Sequence, residues 1–297
     1  MHNKAFPFIS ILSLFWGTNI VASRFGIGEF APLFFIALRL AIATLFFVPV
    51  LFLTGRRWPR ETAVWQAAAI SGILGVSIPM STFILSLQYQ SSGVTSIFIT
   101  MTPVLMVIAA HFFLPDEKMT RNKGLGVALA LAGTIFLALR GESGLADVGR
   151  ASPLGFGLIM LGLTSETANA MFVRRRMKAM DPMTVTGIRL GVGAVILAIV
   201  ALLVSDVSFS AVTPMGYFSL GYAALIGALG GQFVAFYVVR RFGATAFSLT
   251  AYLIPVVAVI VGVLVLNEIV TWGMLVGVVL IGGGIFLINW RGVKKVA

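Results

Sequence analysis

Long apolar runs separated by short polar gaps set the pattern of this chain from end to end. Ten runs approach the roughly 20 residues needed to cross about 30 Å of hydrocarbon. They cover residues 6–26, 32–53, 63–87, 92–114, 124–140, 153–173, 183–204, 214–238, 244–266 and 272–290. The runs are continuous rather than alternating, and within hydrocarbon only helices or closed barrels satisfy the backbone. The pattern therefore predicts an all-α integral membrane protein with ten transmembrane helices. Val21-Ala22-Ser23 resembles a small-residue cleavage site, which would make the first run a signal peptide. Trp16, Gly17, Thr18 and Asn19 interrupt that run, however, and it has a counterpart later in the chain. It is expected to be a retained helix.

One residue violates the pattern. "PLFFIALRLAIATLFFVPVLF", from Pro32 to Phe52, carries Arg39. A charge at the centre of a spanning helix costs about 2.5–3.5 kcal/mol, so Arg39 is expected either to avoid lipid or to lie away from the midplane. The violation recurs in "PMTVTGIRLGVGAVIL", where Pro182, Arg189 and Leu190 repeat Pro32, Arg39 and Leu40 at an offset of 150. The same offset pairs Asn19 with Asn169, Arg24 with Arg174, and Gly93 with Gly243. At 151, Glu117 meets Glu268, Thr120 meets Thr271, Gly126 meets Gly277 and Gly133 meets Gly284; Pro103 and Pro255 pair at 152. The chain reads as a duplicated five-helix unit, residues 1–141 and 142–297. Five is odd, so the second unit enters the membrane from the opposite side. Inverted repeats of this kind are a recurring construction of secondary transporters, with substrate held between the halves. Both arginines then lie about 10 Å from a helix end. Each is expected either to tie its own repeat through helix-end carbonyls or to engage as a gate in one conformation.

Composition removes most other classes. The chain is 59% hydrophobic and 10% charged, with mean hydropathy +1.03, against about 25% charged residues in a soluble domain. It has no cysteine, so disulfides, thiolate metal sites and cysteine nucleophiles are excluded. A net charge of +11 would suggest nucleic acid in a soluble protein, but here its placement fixes topology instead. With the N-terminus inside, one side collects sixteen basic residues: Lys4, Arg56, Arg57, Arg60, Lys118, Arg121, Lys123, Arg174, Arg175, Arg176, Lys178, Arg240, Arg241, Arg291, Lys294 and Lys295. The other side receives three: Arg24, Arg140 and Arg150. That bias predicts both termini in the cytoplasm. There is no Walker lysine loop and no Ser/His/Asp set or metal-ligand cluster within the spans, so neither an enzyme nor an ATP-driven pump is expected. Rings of charge and a filter motif, which a channel needs, are also missing. No cofactor, metal or nucleic-acid partner is expected; membrane lipid and a small-molecule substrate are.

Candidate site residues are polar or helix-breaking groups inside the spans. Pro79, Pro103 and Pro255 each remove a helical hydrogen bond, and the freed carbonyls suit a cavity or a hinge. Glu166 is the only carboxylate deep in a span, placed to carry a proton or to bind a substrate ammonium; its repeat mate is Trp16. Asn19 and Asn169 offer amides at that level, either to substrate or as interhelical bonds. Thr82, Thr100, Gln232 and Tyr252, expected at mid-depth with Trp16 and Met101, have the make-up of an apolar pocket with a few polar groups. His111 is expected at an interface rather than in a proton relay. The small residues of "GLGVALALAG" and "GVVLIGGG" permit close helix packing, within one chain or between two copies. Monomer and homodimer both stay open.

Ten helices in two inverted halves, "FWGTNIVASRFG" in the first helix, the arginine of the second, and the spacings Pro103–Glu117 and Pro255–Glu268 resemble the drug/metabolite transporter superfamily, EamA type. The resemblance covers nearly the whole chain. Within that family it extends to the bacterial exporters of aromatic amino acids. It implies inner-membrane export of aromatic and other apolar amino acids by alternating access around a central cavity. Two alternatives are kept: a multidrug exporter of lipophilic cations such as methyl viologen, with Glu166 as counter-ion, and a non-transporting receptor or assembly subunit.

Overall fold

The structure, a computed structural model, describes residues 2–55, 58–114, 117–178, 180–205, 209, 212–243, 246–247 and 249–289, with backbone alone at 2–4. Arg56, Arg57, Arg291, Lys294 and Lys295 of the topology argument lie outside these residues, as does the side chain of Lys4. Ten helices follow one another: α1 (His2–Glu29), α2 (Pro32–Leu53), α3 (Thr62–Ser86), α4 (Ser92–Phe113), α5 (Arg121–Arg140), α6 (Pro153–Arg176), α7 (Pro182–Val204), α8 (Pro214–Phe242), α9 (Thr250–Leu266) and α10 (Trp272–Asn289). Among the described residues nine are long and apolar enough to cross a membrane, and α9, at 17 residues, falls just short.

Helix starts follow local chemistry. Proline opens α2, α6, α7 and α8, where its missing N–H would have had no helical partner. Before three of them a side chain caps the first turn: Ser152 accepts from the Leu154 amide at 3.3 Å, Asp181 from Thr184 at 2.8 Å, and Thr213 from Gly216 at 3.2 Å. Gly141, at φ +63°, closes α5 in the left-handed region.

Two of the three prolines sit beside interruptions. α3 widens into a π-helical turn at Ile73–Ser77 just before Pro79, and α4 breaks at Thr100–Met101 just before Pro103. Pro255 does not interrupt anything: α9 runs through it. It lies little more than a turn from the helix start, so its missing donor removes only one early bond. A further π-helical stretch, Ala223–Gly230, interrupts α8 with no proline at all.

The most extensive packing pairs are α2 with α7, α5 with α10, α4 with α9, α1 with α8 and α9, α6 with α3 and α4, α2 with α8, and α3 with α7. Exchanging each helix for the one five places away returns the same set. The small-residue stripes meet inside the chain, where Gly126 of α5 faces the backbone of Gly284 on α10. Gly126 and Gly284 are thus engaged within one chain. Large apolar side chains such as Leu53, Leu139 and Leu203 are 79–86% exposed on the outside of the bundle. Arg39, at 3%, faces inward, and so avoids the lipid that those leucines suit.

Candidate functional site

The π-helical turn of α3 is the centre of a polar cluster. Widening the helix leaves carbonyls without their usual i+4 donors, which is why such turns gather at functional positions. Here two side chains from other helices supply donors. The Ser165 hydroxyl donates to Leu74 O at 2.7 Å, and Arg189 Nη2 to Gly75 O at 3.3 Å. Asn169 lies against the same turn and accepts from the Ser71 hydroxyl at 2.7 Å. A Cβ at 75 would press on Asn169 Nδ2 and stand 2.6 Å from Arg189 Nη2, so any larger residue would displace both side chains from the turn.

Glu166 completes this cluster from α6. It is half-buried by accessible surface and within electrostatic reach of Arg189, yet no direct ion pair joins the two. Its carboxylate is also within reach of the Thr102 hydroxyl, beside the break in α4. That hydroxyl already bonds Ile99 O at 2.8 Å, and its single proton cannot serve both acceptors at once. Two opposite charges therefore lie within electrostatic reach of one another without a direct ion pair. Arg189 Nε has no hydrogen-bond partner.

The equivalent position on α1 is built differently. Asn19 is buried against Gly227 in the π-helical stretch of α8, and its Oδ1 has no partner. The Thr18 and Tyr222 hydroxyls share a hydrogen bond of 2.7 Å, and Ser219 donates to Ala22 O at 2.5 Å. Half-buried Trp16 packs on Gly231 and meets Phe247 edge-on, with ring centres 5.8 Å apart. Gln232 follows that glycine and is half-buried. Arg39 donates to Ser23 Oγ at 3.3 Å and leaves Nε unpartnered. It bonds no helix-end carbonyl, and the carbonyl bonded by Arg189 belongs to α3, outside its own half. Arg39 is thus held within its own half by a hydroxyl rather than a helix-end carbonyl, and Arg189 by a carbonyl of the other half, so the expected tie through helix-end carbonyls is found for neither.

Other expected residues lie elsewhere. Met101 has no accessible surface and belongs to a core with Ile97, Phe98 and Val104. Thr82 bonds back to Ile78 O and Pro79 O and abuts Gly162 of α6. Thr100 likewise bonds back, to Ile97 O at 2.6 Å. Tyr252 is near the start of α9, bonded to Asn289 at the end of α10, and not at mid-depth. His111 accepts from the Met119 amide at 3.1 Å and so pins the turn after α4. Ser71, Ser165 and Tyr222 were not expected. Hydroxyls in helices usually bond back to their own turn, and only the nearby glycines Gly75 and Gly227 signalled a close neighbour.

At the end opposite the basic loops, carboxylates hold the helix starts. Glu268 accepts from the Ser92 amide at 2.8 Å, the Ser92 hydroxyl at 2.7 Å and the Gly93 amide at 3.3 Å, which fixes α4. Glu142 accepts from the Gly273 amide at 2.8 Å at the start of α10, and from Arg140 at 2.6 Å. Burial alone would raise the Glu142 pKa. The hydrogen bonds of Thr271, Arg140 and Gly273 outweigh that and hold it below the usual carboxylate value. A cleft of about 280 Å³ opens at this end between α1 and the end of α9, and none of the residues expected in a site lines it.

Apolar spanning helices with inward-facing charges define an integral multi-pass membrane protein. The sequence pattern of the EamA-like transporter family matches residues 3–139 and again 153–290, and the chain belongs to that family. It is a membrane transporter and not an enzyme. The uncharacterized transporter YoaV of Bacillus subtilis is 27% identical over 277 residues, 93% of each chain. The WAT1-related protein At3g02690, chloroplastic, of Arabidopsis thaliana is 27% identical over 93% of this chain and 67% of its own. The uncharacterized inner membrane transporter YedA of Escherichia coli K12 is 25% identical over 84% of this chain and 79% of its own. A solved crystal structure shares the fold, with TM-score 0.68 over 97% of this chain and 98% of that one at 18% identity.

Proposed function

We propose that this transporter exports apolar and aromatic amino acids, by alternating access between two inverted five-helix units, 1–141 and 142–297. The observation that carries the substrate class is the unpaired opposition of Glu166 and Arg189 beside Thr102. A zwitterion would answer both charges, with its ammonium on Glu166 and its carboxylate on Arg189, and leave its apolar side chain to the surrounding hydrocarbon. A lipophilic cation would use Glu166 and leave Arg189 unanswered. The packing set that survives a five-helix exchange supports the repeated units, and so does the family pattern matching twice. The basic loops favour a cytoplasmic placement for their end, and the name of the relative YedA supports an inner membrane.

The test is flux from proteoliposomes loaded with labelled tryptophan, phenylalanine or methyl viologen, with and without a pH gradient. Amino-acid efflux is expected, with no more than weak competition from methyl viologen. A hydrogen bond to a charged group contributes about 1.5–3 kcal/mol, so Glu166→Gln and Arg189→Met should each raise KM by about 10- to 100-fold. Methyl viologen efflux without amino-acid efflux would establish the cation reading instead. Unchanged amino-acid kinetics in Glu166→Gln would remove the carboxylate from the site.

A further inference from the structure

We propose that Arg174–Glu117 and Arg24–Glu268 are two equivalent latches that close alternately, and that this structure has the first shut and the second open. The proposal rests on the alternating-access reading above. The four residues come from the repeat itself: the arginines are 150 positions apart and the glutamates 151. Each arginine lies near the C-terminal end of α1 or α6, and each glutamate follows α9 or α4.

The two ends differ in one respect. At the basic end Arg174 forms a direct ion pair with Glu117. Beside it Arg175 donates to Phe113 O and stands 5.7 Å over the Phe113 ring. The end of α6 is thus tied to the end of α4. At the opposite end Arg24 and Glu268 both line the 280 Å³ cleft. They are within electrostatic reach, but no direct ion pair joins them. Glu268 gives its oxygens to the start of α4 instead. Both pairs join an arginine to a glutamate, and the second is kept apart by the cleft and by the bonds that hold Glu268 on α4. Closing the second latch requires the end of α1 to approach the end of α9 across the cleft. In a body that rocks about its middle, closure at one end parts the other. Both partners of the formed pair are partly exposed, at 46% and 37%. Such pairs shift an equilibrium by a factor of about 1.5 to 5, enough to bias a state without trapping it.

The cysteine-free chain allows a direct test. Leu145 lines the cleft, so Leu145→Cys reports its opening by the rate of labelling with a charged maleimide in lipid nanodiscs. Adding Arg174→Gln or Glu117→Gln should slow labelling by about 1.5- to 5-fold, because the basic end now opens more often. Adding Arg24→Gln should leave the rate unchanged or raise it. The exchanged pair Arg174→Glu with Glu117→Arg should restore the starting rate. Equal labelling in all variants overturns the latch, as does slowing by Arg24→Gln. Where the exchange does not fold, the single glutamine variants decide alone. Amino-acid flux from the same preparations separates the two claims: flux with unmoved labelling sinks only the latch, and shifted labelling without any flux sinks only the carrier.

Discussion

Three consecutive glycines in α10, Gly282, Gly283 and Gly284, meet three different surroundings, and alanine at each should change stability with a different sign. A Cβ at 282 meets nothing within 4 Å, and one at 283 would stand 3.4 Å from Leu129 Cδ2, an ordinary contact. At 284 it would stand 2.5 Å from Gly126 O and 2.7 Å from both the N and Cβ of Ala130. The first two atoms are backbone, so relief requires α5 and α10 to separate. Replacing glycine by alanine in a compatible helix stabilises by about 0.4–1 kcal/mol through the unfolded chain. Overpacking a filled interface costs about 1–3 kcal/mol. Gly282→Ala should therefore gain several tenths of a kcal/mol, Gly283→Ala should be near neutral, and Gly284→Ala should lose about 1–2 kcal/mol net.

For a chain of this size 1 kcal/mol moves Tm by about 2–4 °C. Thermal unfolding of the purified protein in detergent should rank the variants as 282, 283, wild type, 284, with a spread of about 3–10 °C. Gly126→Ala, whose Cβ would stand 2.5 Å from Gly284 O, should fall with Gly284→Ala. If Gly284→Ala unfolds at or above the temperature of Gly282→Ala, the close approach of α5 and α10 is wrong. A dimer built on these glycines would give the same loss, but with a Tm that depends on protein concentration.

The Glu142 carboxylate, held below its usual pKa, stabilises the protein above the unfolded value of about 4.3 and loses that contribution as pH falls through the folded value. Melting profiles between pH 3 and 7 should show an acid limb that Glu142→Gln weakens, while lowering Tm at neutral pH. Arg39→Met removes a buried charge that makes only one long hydrogen bond. Replacing such a charge by an apolar group is often neutral or stabilising by about 1–4 kcal/mol, so Tm should hold or rise. A fall of more than about 3 kcal/mol would show that the guanidinium holds the fold together.

Much of this molecule is legible because the bilayer leaves few options for an apolar run. All ten helices follow from run length, although their exact starts, three of them capped at Ser152, Asp181 and Thr213, do not. The inward face of Arg39 follows from its incompatibility with lipid. What stayed hidden depends on which helix lies against which. Pro255 carries the same residue-level signal as Pro103, yet only the latter accompanies a break, because Pro255 falls where the hydrogen-bond ladder has barely begun. The π-helical stretch in α8 has no proline; it becomes intelligible only once Asn19 is found pressed on Gly227. Met101 and Tyr252 were plausible on type and spacing alone, and the depth and burial that separate them from Glu166 are tertiary facts.

The helix packing is nearly symmetric, yet its polar clusters are not. Arg39 and Arg189 occupy equivalent places on α2 and α7, but only Arg189 faces an acid. On the α1 side Trp16 takes the place of Glu166, and Arg39 is sealed from solvent with one weak partner. Symmetry in packing therefore sets where each helix lies, through the pairs α2–α7 and α5–α10 that map onto themselves. Substitutions at the equivalent positions 16 and 166 set what each face can bind. Under the amino-acid export proposed above, a zwitterion with an apolar side chain would use both kinds of surface, one charged and one aromatic. The two sides thus differ in chemistry while the helix contacts α2–α7 and α5–α10 map onto themselves.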